Sequence, residues 1–230
     1  MKKITVIGAG KIGATMARFL HSGGYGVTVI DRDAQYLAKL DLPADIARRE
    51  ADIAQGLEAS ALEGQFAVLS AAPFHLTRNV AKAAAEAGVH YLDLTEDVAS
   101  TRDVRALAEN ASSAFIPQCG LAPGFVSIAA HDLASHFDTL DTIRLRVGAL
   151  PRFPSNALGY NLTWSTDGLI NEYIEPCEAI IGGKRAMVPA MEGYETLGVD
   201  GVAYEAFNTS GGLGSLCETY DGKVRELNYR

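Results

Sequence analysis

Cysteine is scarce. The 230 residues hold three thiols, Cys119, Cys177 and Cys217, an odd number set far apart with no CxxC or Cys/His spacing that suits zinc. This excludes a disulfide framework and a zinc site as the basis of the fold, and reduced thiols are expected. Long apolar runs are also missing. No stretch approaches the ~18 apolar residues that cross a bilayer, and the N-terminal apolar run is cut by Gly8 and Gly10, unlike a signal peptide. A cytoplasmic protein with no membrane partner is the expectation. Positive charge is in deficit, at a net −8, and Arg48-Arg49 and Lys184-Arg185 are isolated pairs. That balance argues against a nucleic-acid partner. Internal repeats and low-complexity tracts are absent.

What is present is ample apolar material, 48% of residues, enough for one large domain or two small ones. The first stretch organises the rest. Met1-Lys2-Lys3-Ile4-Thr5-Val6-Ile7 reads as a buried parallel strand, and Gly8-Ala9-Gly10-Lys11-Ile12-Gly13 follows without a gap. Glycines there let the backbone turn sharply and approach a pyrophosphate. Ile12, Met16, Phe19 and Leu20 then recur at the spacing of one helix face. A second strand, Val27 to Ile30, ends in Asp31, 18 positions past Gly13 and so placed to accept hydrogen bonds from an adenosine ribose. GxGxxG alone is weak; strand, three glycines, helix, strand and acid together predict dinucleotide binding. Arg32 stacks over adenine, faces a 2′-phosphate or lies in solvent. Asp31 repels that phosphate, so NAD is the expected cofactor, with NADP as the alternative.

A third strand is expected over 46–53, ending at Asp52-Ile53, with a helix from Leu57 to Leu62 after it. Phe66 to Ala72 is uniformly apolar, as a strand buried on both faces should be, and small Ala71 and Ala72 beside Pro73 let the cofactor pass close to the main chain. A helix through Val80 and Ala84 stops at Gly88. The strand Val89 to Thr95 ends in polar residues, of which Asp97 and Thr95 read as helix caps. Ala114 to Cys119 is a sixth strand, followed by the Gly- and Pro-rich loop Gly120-Leu121-Ala122-Pro123-Gly124, a fixed turn of the kind that holds substrate groups. A helix runs from Phe125 to Phe137.

Near Asp138 the pattern changes. Ile143 to Val147 alternates apolar and charged residues, the mark of a half-exposed strand in a mixed sheet. The expected architecture is α/β, a doubly wound Rossmann domain over 1–138 joined to a mixed α+β substrate and dimerisation domain over 139–230. Within the second, a helix follows Trp164, Ala179 to Val188 is a hairpin on Gly182-Gly183, Tyr204 to Phe207 is a strand, and Arg225 to Tyr229 is the last one.

Val6-Ile7-Gly8-Ala9-Gly10-Lys11-Ile12-Gly13, Cys119 to Phe125, Tyr160 to Tyr173 and Glu205 to Gly212 together resemble the saccharopine dehydrogenase-like family. That group includes glutamate-forming saccharopine reductases, lysine 6-dehydrogenases and carboxynorspermidine dehydrogenases. The resemblance covers nearly the whole chain. It implies an NAD(P)-dependent enzyme acting on an amino-acid-derived amine or imine, and a homodimer formed through the second domain. Two departures are visible: Ala122 stands where many members carry Asp, and members continue past the point matching Arg230, so the second domain is expected to be incomplete.

Hydride transfer at a C–N carbon needs stacking geometry, exclusion of water and one proton route. Asp93, Cys119 and His75 are the candidate catalytic residues by their position at strand ends, with Asp93 ranked first; Glu96 also qualifies by position. Cofactor contacts are assigned to Gly8, Gly10, Lys11, Ile12, Gly13, Asp31, Arg32, Asp52, Ile53, Ala71, Ala72 and Pro73. Substrate contacts are assigned to Gly120, Leu121, Pro123, Gly124, Tyr160 and Trp164, and no metal is expected. The competing reading is a non-catalytic NAD(P)-binding redox sensor, which would need no aromatic second half. A short-chain dehydrogenase would show a TyrxxxLys pair, and Tyr36 and Lys39 have the wrong spacing.

Overall fold

The computed structural model describes residues 1–230 except 149, 158 and 163. Two compact units divide between Cys119 and Gly120. In the first, β1 (Lys3–Ile7), α1 (Lys11–Ser22), β2 (Gly26–Asp31), α2 (Ala34–Lys39), β3 (Ala47–Glu50), β4 (Ala67–Ser70), α3 (Thr77–Ala87), β5 (His90–Asp93), α4 (Val98–Ala108) and β6 (Phe115–Ile116) follow in order. All six strands are parallel in the order β3-β2-β1-β4-β5-β6. This is the doubly wound arrangement, with its switch point between β1 and β4.

The pleat sends alternate side chains to two cores. Val6, Val27 and Val29 face Ala14, Ala17 and Leu37 on one side. Ile7, Ile30, Val68 and Tyr91 face Val80, Ala84 and Val104 on the other. Gly88, at φ 64, ends α3 in the left-handed conformation.

Three local readings are corrected. The buried face of α1 is Gly13, Ala14 and Ala17, while Ile12 and Phe19 are 46% and 73% exposed. Small residues bring this helix close to the sheet, and bulk on the adjoining face is left outside. The third strand stops at Glu50 with every residue exposed, and Asp52 caps a 3₁₀ turn over Ile53–Gln55, its Oδ1 accepting from Ala54 N at 3.1 Å. The helix expected from Leu57 is likewise a 3₁₀ turn, Ala59–Leu62.

The second unit contains α5 (Phe125–Ala134), β7 (Thr142–Leu145), α6 (Thr166–Ile174), β8 (Cys177–Ile181), β9 (Lys184–Val188), β10 (Glu195–Val199), β11 (Val202–Ala206), α7 (Leu216–Tyr220) and β12 (Glu226–Tyr229). A four-stranded mixed sheet runs β7-β12-β8-β9, with β12 parallel to β7 and antiparallel to β8. Val126, Ala130 and Ala134 of α5 pack into the core of Leu145, Ile180, Leu216 and Leu227. That packing assigns the helix to the second unit, so the division falls earlier than the change of pattern near Asp138.

A separate two-stranded ribbon, β10 with β11, turns at Asp200-Gly201, whose φ values of 51° and 80° suit a type I′ turn. β10 was not anticipated, although Asp-Gly between two runs is a hairpin signal. The Glu195 carboxylate at the start of β10 binds two guanidinium groups, accepting from Arg146 Nε and, at 2.6 Å, from Arg230 Nη1. The adjacent Arg146 holds it well below the usual carboxylate range.

Candidate functional site

The glycine turn joins β1 to α1, and each glycine has its own reason. Gly8 has φ 90°, and a Cβ on it would lie 2.8 Å from the Ala71 carbonyl oxygen. A Cβ on Gly13 would fall 1.8 Å from the Gly8 carbonyl oxygen. Both are demanded by the fold itself. A Cβ on Gly10 would meet no protein atom within 4 Å. Packing does not explain Gly10, and open space before the main chain is what an approaching pyrophosphate needs. Gly10 occupies the N-cap of α1 with no side-chain cap, leaving the first N–H groups of a helix to an anion.

Asp31, the last residue of β2, fits the same site. Its Oδ2 accepts from Ala9 N at 2.7 Å and its Oδ1 from Asp33 N at 3.1 Å, which fixes the carboxylate beside the turn. Lys11, Ile12 and Arg32 are exposed next to it. Ala71 N donates to Ile7 O at 2.8 Å, so β4 continues alongside the turn, and Pro73 opens the 3₁₀ turn Phe74–Leu76. Asp52 and Ile53 belong to the 3₁₀ turn already described; Ile53 is buried in the core and its carbonyl accepts from Asn79 Nδ2 at 2.8 Å.

Asp93 ends β5 at 1% exposure. Its Oδ2 accepts from the Tyr91 hydroxyl at 2.8 Å, and its Oδ1 from Thr95 N and Gln118 N at 3.0 Å each. Burial pushes its carboxyl up despite these three donors, and burial with the adjacent Asp93 charge pushes the Tyr91 hydroxyl up. The carboxylate ties β5 to the segment after β6, where Gln118 takes φ 61° and Cys119 N donates to Asp93 O at 2.8 Å. Asp93 and Cys119 are thus brought together, the Cys119 thiol being pushed up by burial and then by Asp93. His75 stands apart, exposed and edge-on to Phe74. Asp97 caps α4, accepting from Ser100 N at 2.6 Å, and Thr95 Oγ1 accepts from Asp97 N at 3.1 Å. Tyr91 and Gln118 were not anticipated. The signal for Tyr91 is its place two residues before the acid on the same strand face, which alternation makes neighbours.

In the second unit, Gly120 to Gly124 is a closed turn. Phe125 N and Val126 N donate to Gly120 O and Leu121 O at 2.9 Å each, and the Ala122-Pro123 peptide is cis. Trp164 Nε1 donates to the Tyr160 hydroxyl at 3.3 Å, so these two aromatic candidates also meet. Thr163, between them in the family-like motif, lies outside the described residues. Among the described residues no group of side chains could hold a metal ion, and no helix is long and apolar enough to cross a membrane.

Family models describe both units: the saccharopine dehydrogenase NADP binding domain matches residues 4–116, and the saccharopine dehydrogenase C-terminal domain matches residues 120–221. The chain belongs to the saccharopine dehydrogenase family. Its first unit is the family's NADP-binding domain. The apo glutamate-forming saccharopine dehydrogenase of Saccharomyces cerevisiae shares the fold, with a TM-score of 0.74 at 20% identity over 100% of this chain and 54% of that one. Rat mitochondrial alpha-aminoadipic semialdehyde synthase (Rattus norvegicus) is 24% identical over 197 residues, 80% of this chain and 21% of the rat protein. The chain therefore spans just over half of the one relative and about a fifth of the other.

Proposed function

We propose that this protein catalyses the reversible oxidation of an amino-acid-derived amine to an imine with NAD(P). The observation that carries the reading is the pairing of a complete nucleotide-binding unit with the family's second domain, where the fixed Gly120–Gly124 turn and the Tyr160–Trp164 pair occur. A redox-sensing module would need no such second domain. When bound, nicotinamide supplies the hydride acceptor. The chain's own residues bind and position: Gly8, Gly10, Gly13 and the first N–H groups of α1 take the pyrophosphate, and Asp31 takes the adenosine ribose. Because Asp31 opposes a 2′-phosphate, this chain prefers NAD over NADP. Tyr160 and Trp164 offer an apolar wall that excludes water, and the Gly120–Gly124 turn contacts the substrate.

The test is formation of reduced nucleotide, followed by absorbance, with L-lysine, saccharopine and polyamine adducts, and simple alcohols as controls. Turnover of at least one amine and of no alcohol is expected. Turnover of alcohols and of no amine would sink the reaction class.

A further inference from the structure

Among the described residues the Glu96 carboxylate has no side-chain partner. It follows β5 by three residues and precedes the α4 cap Asp97, and it is 9% exposed. Its neighbours in the loop all have partners: Asp93 has three donors, Thr95 receives Asp97 N, and Asp97 receives Ser100 N. The Glu96 carboxylate has only its own backbone N–H, and the charges acting on it are those of Asp93 and Asp97, both of its own sign. Among the described residues no cation reaches it. A largely buried carboxylate with no cation beside it is costly, and neither Glu96 oxygen is both sealed from solvent and unbonded, so the carboxylate stays open to a cation from outside.

Its place in the sheet indicates which cation. Ser70 pairs with Ile7 on one side and with Asp93 on the other, so β5 lies two strands from the glycine turn. At about 4.8 Å per strand that is about 10 Å along the carboxyl edge, on the opposite side of the switch point from Asp31. Asp31 marks the adenosine end of a dinucleotide laid across that edge, so the Glu96 loop lies toward the reacting end.

We infer that Glu96 is the binding partner of the substrate's ammonium group, and hence that the substrate enters as a cationic amine. The inference rests on the amine reading above and assigns a residue and a charge state to it. Burial and the two neighbouring carboxylates push the empty Glu96 carboxyl up from the usual range, and an arriving ammonium would pull it back down. Because the folded value lies above the unfolded one, the contribution of Glu96 to the stability of the empty protein is fully present below the ordinary carboxylate range and is lost as pH rises through the folded value.

Titration calorimetry of the full chain with saturating NAD should compare L-lysine and butylamine, the latter as a bare ammonium, on the parent, Glu96→Gln and Glu96→Asp. Glu96→Gln should weaken at least one of the two amines by about thirtyfold or more, the usual effect of truncating one partner of a buried charge pair, and Glu96→Asp should recover part of it. NAD affinity, read separately by fluorescence, should stay within about twofold, since no Glu96 contact with the glycine turn is invoked. The melting temperature of Glu96→Gln should fall less than the parent's as pH is raised. Equal amine affinity in parent and Glu96→Gln overturns the assignment, as does absence of amine binding to the parent. The two readings separate cleanly: amines bound through Glu96 but never oxidised would end the reaction class alone, and amines oxidised equally well by Glu96→Gln would end the Glu96 site alone.

Discussion

Asp93 can be tested as a structural bracket by comparing Asp93→Ala with Asp93→Asn. Alanine strands three donors in a site of 1% exposure: the Tyr91 hydroxyl and the Thr95 and Gln118 backbone N–H groups. Each buried donor left without an acceptor costs roughly 1–3 kcal/mol. Relief of the carboxylate's own desolvation offsets part of this, so a net loss of about 3–4 kcal/mol is expected, a large share of the ~5–15 kcal/mol that holds a domain together. Asparagine keeps an acceptor for the two backbone groups, and the Tyr91 hydroxyl can accept from its amide. Its cost should be about 1 kcal/mol. Burial raises the folded carboxyl above its unfolded value, so the contribution of Asp93 to the parent's stability declines as pH climbs through the folded value. Asp93→Asn should flatten that decline. Urea unfolding followed by circular dichroism between mildly acidic and neutral pH measures all three quantities. Asp93→Ala unfolding within about 0.5 kcal/mol of the parent, the range of an ordinary surface substitution, would refute the bracket. An Asp93→Asn protein of near-parental stability whose turnover fell by roughly 10²–10⁴-fold would instead make Asp93 the acid or base itself.

The glycine turn yields a matched pair. Gly13→Ala places its Cβ against the Gly8 carbonyl oxygen at 1.8 Å, so thermal stability and nucleotide binding should both fall. Gly10→Ala meets no protein atom within 4 Å and has an ordinary φ of −60°, so its melting temperature should match the parent's while nucleotide affinity drops. A Gly10→Ala protein that binds NAD as the parent does would remove the turn from the cofactor site. Asp31→Ser should shift preference toward NADP by removing a charge that opposes the 2′-phosphate, and competitive titration of the two cofactors reads the ratio. An unchanged ratio would count against Asp31 as the ribose ligand.

The parts of this protein that were legible in sequence are those whose partners are near in the chain. Strand, glycine turn, helix and Asp31 lie within the first 31 residues, and the structure forms them as read. The buried face of α1 was not legible, because periodicity marks large apolar residues and this helix buries glycine and alanine. Helix α5 follows the strand-helix alternation of the first unit in sequence but packs with the core of the second. The bracketing of Asp93 depends on Gln118, 25 residues away, and on a backbone N–H that no side-chain motif reveals. The isolation of Glu96 is also a tertiary property: a carboxylate on a loop reads as solvated until its burial is known.

Among the described residues the β10–β11 ribbon shares no ladder with the four-stranded sheet, and the Glu195 carboxylate between Arg146 and Arg230 is one of its anchors. An anchor made of charge answers to conditions that a backbone ladder ignores. Acid that protonates Glu195, or salt that screens it, should release the ribbon while β8 and β12 stay paired. Amide exchange would then show two populations in this unit, a ribbon whose protection depends on ionic strength and a sheet whose protection does not. The second unit is in that sense two cooperative pieces, coupled by a joint that the solvent can tune.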